Sequence, residues 1–316
     1  MQNKVAVIGA GNVGASAALF VAERGLADVV LIDRPEMDGM PQGKALDMQQ
    51  AAPLWHKGGT ITGATDLAAV KGANVVIMTA GFPRKPGMSR SDLLKANAEI
   101  IVPAALAVKQ HAPDAYVVVV TNPLDVMAWL FWKTTGFPKH RVIGMAGILD
   151  SARFRAFLAM ELGVSGADVQ AMVLGGHGDS MVPLPKYTTV GGISVSDLVP
   201  ADRLAAIIER TRNGGAEIVK LLKTGSAYYA PAMSAVEMAE AILTDQKRLV
   251  PCSVLLEGEY GLNNLFIGVP IVLGGKGVEK IVPLQLDAAE LAALTKSAKD
   301  VSEMIAELNA ETAKTN

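Results

Sequence analysis

The sequence predicts an α/β protein: a doubly wound parallel sheet over residues 1–145, followed by an α+β domain over residues 146–316. Three observations predict it. Through the first half, short apolar runs alternate with segments long enough for helices, as expected of parallel strands buried on both faces and joined by crossover helices. From Asp150 onward that alternation gives way to helices and apolar runs spaced for antiparallel pairing. The length of 316 residues, at roughly 150 per domain, allows two domains.

In the first part the apolar runs Val5 to Ile8, Val29 to Ile32, Asn74 to Met78, Tyr116 to Val120 and Val142 to Ile143 read as strands. Asn12 to Arg24, Ser91 to Gln110 and Leu124 to Thr134 read as the crossover helices, with Pro103 expected to kink the second or limit its first segment. In the second part a helix runs through Leu162, strands are expected at Val169 to Leu174 and Gly191 to Val195, and helices at Pro200 to Leu222 and Pro231 to Leu243. Val250 to Leu256 and Leu265 to Leu273 read as antiparallel strands, and Ala288 to Leu308 as a closing helix.

Half the residues are hydrophobic and 19% charged, which excludes disorder for the bulk of the chain. Twenty-nine Lys and Arg against 31 Asp and Glu leave a net charge of -2, so no global field draws the protein to nucleic acid or anionic lipid. A single cysteine, Cys252, excludes an internal disulfide, and four scattered histidines argue against structural zinc or any other metal site. Apolar stretches such as Val126 to Trp132 fall short of the ~18 residues of a membrane span. The first residues run straight into an apolar strand without the layout of a signal peptide, so a soluble cytoplasmic protein is expected.

Gly9-Ala10-Gly11-Asn12-Val13-Gly14 follows a strand and opens a helix. Glycines there turn tightly and admit a pyrophosphate to a helix N-terminus, the fingerprint of a Rossmann dinucleotide fold. Asp33, at the end of the second strand, would accept hydrogen bonds from a ribose diol and repel a 2′-phosphate, which favours NAD over NADP. Arg34 beside it is either a cation for a 2′-phosphate or a solvated arginine.

His177, in Gly175-Gly176-His177-Gly178-Asp179, is the one histidine flanked by glycines, and bare backbone lets a ligand approach its ring. It can take a hydroxyl proton near neutral pH, although on this segment alone a turn histidine fits as well. Asp150 and Arg153, three apart at a helix start, share one face. An aspartate can fix an imidazole tautomer, and a guanidinium fork matches a carboxylate; an ordinary helix ion pair is the other reading. Residues 81–90 follow a strand end and carry Arg84, Lys85 and Arg90 between prolines and glycines, as a lid or a solvated basic loop. Asn122 ends the next strand on the same rim, where its amide either holds a hydroxyl or a nicotinamide, or forms a turn before proline.

In their joint order these segments, together with Pro41 to Asp47, Asn122-Pro123-Leu124-Asp125 and Gly147 to Arg153, resemble the lactate/malate dehydrogenase family over nearly the whole chain. Within it the likeness is to the malate dehydrogenases built like lactate dehydrogenases. The resemblance implies His177 as proton acceptor and donor with Asp150 behind it, Arg153 gripping the C1 carboxylate of a 2-hydroxy acid, and Arg90 polarising the reacting carbonyl. It implies Asn122 at the substrate, and Asn97 and the backbone of Val120, Thr121 and Asn122 at the cofactor. Arg84 stands where the family's malate enzymes carry arginine and its lactate enzymes usually glutamine. A second cation charge-matches a dicarboxylate, so malate and oxaloacetate are the expected substrates, in the step that serves the tricarboxylic acid cycle. A homo-oligomer is implied, a tetramer ahead of a dimer, and no nucleic-acid or membrane partner. A dehydrogenase of lactate or another 2-hydroxy acid is the alternative, and a non-catalytic dinucleotide sensor a rival of another class.

Overall fold

The computed structural model describes residues 3–55, 58–83 and 89–315. The first part runs β1 (Lys4–Ile8), α1 (Asn12–Glu23), β2 (Asp28–Ile32), α2 (Met40–Ala51), β3 (Ile61–Ala64), β4 (Val75–Met78), α3 (Arg90–His111), β5 (Tyr116–Val119), α4 (Leu124–Thr135) and β6 (Val142–Gly144). It continues as α5 (Ala146–Leu162), β7 (Val169–Gln170), β8 (Val173–Leu174), β9 (Val182–Pro183), β10 (Thr189–Val190), β11 (Ile193–Ser194), α6 (Val195–Leu198), α7 (Ala201–Leu222) and α8 (Tyr229–Leu243). The chain closes with β12 (Arg248–Glu257), β13 (Asn263–Gly274), β14 (Gly277–Ile281) and α9 (Ala288–Thr315).

The main sheet has the order β14-β13-β12-β6-β5-β4-β1-β2-β3. Its β3-to-β6 portion is parallel throughout and reverses direction of travel at β1, which pairs with β2 on one side and β4 on the other. Val5, Ala6, Val7, Val75, Val76, Ile77, Val117, Val118 and Val119 are all fully buried, which is why these strands read as unbroken apolar runs rather than alternating ones. A smaller apolar cluster forms around Phe154, Leu158, Val173, Val195 and Ile207.

Four expectations change. The long antiparallel strands do not stand apart: β12 pairs with β6 at Ser253 and Gly144, so β12 to β14 extend the parallel sheet as one mixed sheet. The sequence reading passed over α2, β3 and β14; α2 carries Pro41 and Gly43 and buries only Pro41 and Ala45, so its apolar periodicity is weak. Val169 to Leu174 is two strands serving two sheets, and Gly191 and Gly192, both at positive φ, are the turn of the β10–β11 hairpin rather than part of a strand. Pro103 does not limit α3, which continues through it: Pro103 and Glu99, whose carbonyl loses its usual donor, both lie on the solvent side, where water serves.

Candidate active site

The glycine turn joins β1 to α1 at the carboxyl edge of the sheet, where the strand order reverses and open α/β sheets form a crevice. Gly9 has φ +107°, and a Cβ on it would lie 2.5 Å from the Ala80 nitrogen. A Cβ on Gly14 would lie 1.8 Å from the Gly9 carbonyl oxygen, so only glycine lets α1 close onto the turn. At Gly11 the opposite holds: nothing lies within 4 Å of the added atom, and no side chain caps α1. The open face of the turn, Gly11, Asn12, Val13 and Gly14, lines a cavity of about 1120 Å³.

Ala10 is held from both sides. The Asp33 carboxylate accepts its N–H at 2.7 Å through Oδ2 and the Arg34 N–H at 2.9 Å through Oδ1, while Lys44 Nζ donates to the Ala10 carbonyl at 2.7 Å. The Arg34 guanidinium is exposed, 3.9 Å from Glu36 and 6.0 Å from the centre of the Phe82 ring. An uncapped helix start with room for a bulky anion, beside a half-buried carboxylate, fits a dinucleotide: the turn for its pyrophosphate, Asp33 for a ribose diol.

On the other side of the cavity His177 projects from a segment that leaves β8 through Gly175, at φ +89°, and continues through Gly178, at φ +136°. Its Nδ1 lies 3.0 Å from Asp150 Oδ2, and no hydrogen bond engages Nε2 among the described residues. The His177 side chain is 13% exposed and that of Asp150 only 2%. Burial pulls the imidazole pKa down, but the charge and hydrogen bond of Asp150 outweigh it, and the net shift is upward. One turn along α5, Arg153 Nη1 stands 3.6 Å from Asp150 Oδ1, with its side chain 14% exposed. Among the described residues, Asp150 Oδ1 and Arg153 Nε are buried without a hydrogen-bond partner. Burial lowers the guanidinium pKa and Asp150 opposes that, but an arginine keeps its charge. The cavity therefore presents a buried, under-paired cation next to an imidazole whose tautomer is fixed.

The structure brings most of the sequence candidates together. Arg90, Val120, Thr121, Asn122, Arg153 and His177 line the same cavity as the glycine turn, with Asp150 directly behind His177. Ser226 and Ala227 line it too. Arg84 and Lys85 lie outside the described residues, as does His56. Asn97 is placed differently: it is fully buried and absent from the lining, and its amide accepts the Phe82 N–H at 2.7 Å while donating to the Asn122 carbonyl at 2.6 Å. It braces the two loops that carry lining residues instead of facing the cavity.

Other lining groups carried no role in the sequence reading. Arg212 and Asn213 reach the cavity from α7, and Lys296 and Asp300 from α9. A signal for α7 existed in Gly214-Gly215, two helix-weakening residues in mid-helix: a Cβ on Gly214 would sit 3.2 Å from Arg153 Cδ, so the pair makes room for that arginine.

Fold and cavity define a dinucleotide-binding α/β protein. The chain belongs to the lactate/malate dehydrogenase family, whose NAD binding domain matches residues 3–144 and whose alpha/beta C-terminal domain matches residues 148–312. It is 54% identical over 308 residues to a malate dehydrogenase of Roseiflexus castenholzii, covering 98% of this chain and 99% of that one. The solved malate dehydrogenase of Salinibacter ruber superposes with a TM-score of 0.94 at 48% identity, over 99% of this chain and 100% of that one. The lactate dehydrogenase of Cryptosporidium parvum, solved with lactic acid and nicotinamide adenine dinucleotide, gives a TM-score of 0.94 at 43% identity, over 98% of each chain.

Proposed function

We propose that the protein is an NAD-dependent malate dehydrogenase, interconverting (S)-malate and oxaloacetate. The observation that carries this reading is the grouping of His177, Asp150 and Arg153 at 3.0 and 3.6 Å on one wall of a cavity whose other wall is the glycine turn. When bound, NAD supplies the nicotinamide carbon that accepts hydride from C2 of malate. Gly9, Ala10, Gly11, Asn12, Val13 and Gly14 with Asp33 would hold its pyrophosphate and ribose, and the Val120–Asn122 backbone, braced by Asn97, its nicotinamide end.

Every other step belongs to the chain's own side chains. Arg153 takes the C1 carboxylate in a fork of two parallel bonds. Nε2 of His177 accepts the C2 hydroxyl proton, and Asp150 stabilises the imidazolium that results. Arg90 polarises the carbonyl that forms, and Asn122 holds the hydroxyl oxygen. In the reverse direction His177 returns its proton to that oxygen.

The choice of malate over lactate rests on Arg84, the second cation a dicarboxylate requires; pyruvate would leave that cation unpaired. The malate dehydrogenases of Roseiflexus castenholzii and Salinibacter ruber, at 54% and 48% identity against 43% for the lactate dehydrogenase, point the same way. Residues 1–145 would carry the cofactor and lend Arg84, Arg90 and Asn122 to the substrate, and residues 146–316 would supply His177, Asp150 and Arg153, in a cytoplasmic homotetramer serving the tricarboxylic acid cycle. Among the described residues no helix is long and apolar enough to cross a membrane. The test is loss of NADH absorbance with oxaloacetate and with pyruvate in parallel, repeated with NADPH. Rapid loss with oxaloacetate and NADH alone is expected; preference for pyruvate would move the protein to lactate, and no turnover with either would remove the enzymatic reading.

A further inference from the structure

His177 is anchored at two points, and only one of them is its ring. Three consecutive backbone N–H groups in its segment go to three different elements. Gly175 donates to the Gly268 carbonyl of β13 at 2.9 Å, Gly176 to the Ser297 hydroxyl of α9 at 2.8 Å, and His177 to Asp125 Oδ2 of α4 at 2.8 Å. The other Asp125 oxygen accepts the Ser253 hydroxyl of β12 at 2.7 Å.

Asp125 is 4% exposed and Ser253 fully buried. A buried carboxylate is costly unless its bonds compensate, and this one neither gives nor takes a proton in the transfer between His177 and substrate. A neutral acceptor could satisfy a backbone N–H; a carboxylate does so with a stronger, charge-assisted bond. The need for strength lies in the surroundings. Gly175, Gly176 and Gly178 give the segment a permissive backbone, and of its three main-chain anchors Asp125 is the one that holds His177 itself, the other two ending at Gly175 and Gly176.

We propose that Asp125 is a positioning residue for His177: seated by Ser253, its carboxylate fixes the histidine backbone while Asp150 fixes the ring, and the two anchors together hold Nε2 at one place in the cavity. The anchors stand on α4 and α5, the helices on either side of β6 in the chain, so a rigid scaffold supports both ends of the residue. The start of α4 thereby links two tasks, with Asn122 lining the cavity just before the helix and Asp125 holding His177 from its first turn. This proposal rests on the reading of His177 as the proton-transfer group.

The test compares Asp125→Ala, Asp125→Asn and Ser253→Ala in the full chain, with His177→Asn as reference. The readouts are kcat and KM with oxaloacetate, NADH affinity by fluorescence titration, and melting temperature. Displacement of a reacting group by about 1 Å costs on the order of 100-fold, so Asp125→Ala is expected to lose about 10- to 100-fold in kcat with NADH affinity retained. Asp125→Asn, whose amide oxygen can accept the His177 N–H in a weaker, neutral bond while its NH₂ donates to Ser253, is expected to recover part of that loss. Ser253→Ala should show a smaller fall in kcat and, with Asp125→Asn, decides the matter if Asp125→Ala does not fold.

Unchanged kcat in Asp125→Ala or Ser253→Ala would overturn the proposal. So would an Asp125→Asn protein as slow as Asp125→Ala, or loss of NADH affinity in step with kcat, which is the mark of a merely structural role. If His177→Asn itself turns over, the reading of His177 fails. If His177→Asn is inactive while Asp125→Ala is fast, the positioning role alone fails.

Discussion

One methyl group at position 214 should separate stability from substrate grip. Gly214 is buried inside α7, and a Cβ built on it lies 3.2 Å from Arg153 Cδ and 3.6 Å from Phe157 Cε2. Carbon pairs settle at about 3.5–4.0 Å, so in Gly214→Ala the Arg153 stem must yield by a few tenths of an ångström. It has little room to do so, because the side chain is 14% exposed and Nη1 already lies 3.6 Å from Asp150. A fork that meets a carboxylate off its ideal line loses part of a bond worth about 1.5–3 kcal/mol. A loss of about 1.4 kcal/mol is tenfold in affinity, so KM for oxaloacetate is expected to rise roughly tenfold. Alanine in mid-helix gains about 0.5–1 kcal/mol over glycine, which offsets the steric strain and keeps the melting temperature close to the parent's. Steady-state kinetics, NADH titration and a thermal melt read the three quantities separately. A folded Gly214→Ala protein with unchanged KM would refute the role of the Gly214-Gly215 pair as space for Arg153, and parallel losses in KM and NADH affinity would place the damage in the scaffold instead.

Three further substitutions probe the rest of the site. Asp150→Asn removes the charge that holds the His177 pKa above its ordinary value against burial, so that pKa falls. Oxaloacetate reduction needs imidazolium, and the alkaline limb of its kcat/KM profile should move to lower pH; a profile that stays in place would disprove the coupling. Gly14→Ala puts a methyl 1.8 Å from the Gly9 carbonyl oxygen, which must displace the turn, and NADH titration should show at least about tenfold weaker binding, roughly 1.4 kcal/mol. Arg84→Gln should raise pyruvate turnover relative to oxaloacetate when both are assayed side by side, and an unchanged ratio would make Arg84 a bystander.

Legibility in the sequence followed how local each cause is. Strands β1, β2, β4, β5 and β6 were readable because burial on both faces demands an apolar run, and the glycine turn because close packing there demands residues without Cβ. Flanking glycines marked His177 as an approachable ring and helical spacing put Asp150 and Arg153 on one face, but only the resemblance to the family joined the three, which lie in sequence segments that local spacing does not connect. By contrast, the junction of β12 with β6 is a pairing between residues far apart in sequence, and nothing local to Ser253 or Gly144 announces it. Asn97 illustrates a subtler limit: the resemblance implies a cofactor contact, but the fold spends its amide on Phe82 and Asn122. Asp125 offered a faint signal, a carboxylate at the head of the apolar run Val126 to Trp132, whose partner His177 appears only when α4 meets the β8 loop.

The charges around His177 also make binding and protonation interdependent. Arg153 depresses the imidazole pKa while Asp150 and Asp125 raise it, and the two carboxylates prevail against burial. A substrate carboxylate that settles on Arg153 offsets the depressing charge of that guanidinium, which favours imidazolium in the loaded site. By linkage, whatever binds better to imidazolium also favours it, and an incoming carboxylate therefore selects the protonated form that oxaloacetate reduction requires. The opposite direction needs neutral imidazole and begins against this bias, which higher pH relieves. Asp150, with one oxygen 3.0 Å from the ring and the other 3.6 Å from the guanidinium, is the atom group through which both effects pass. Its unmet Oδ1 is consistent with that double duty: full pairing with Arg153 would bind the guanidinium to the protein and leave less of it for the substrate.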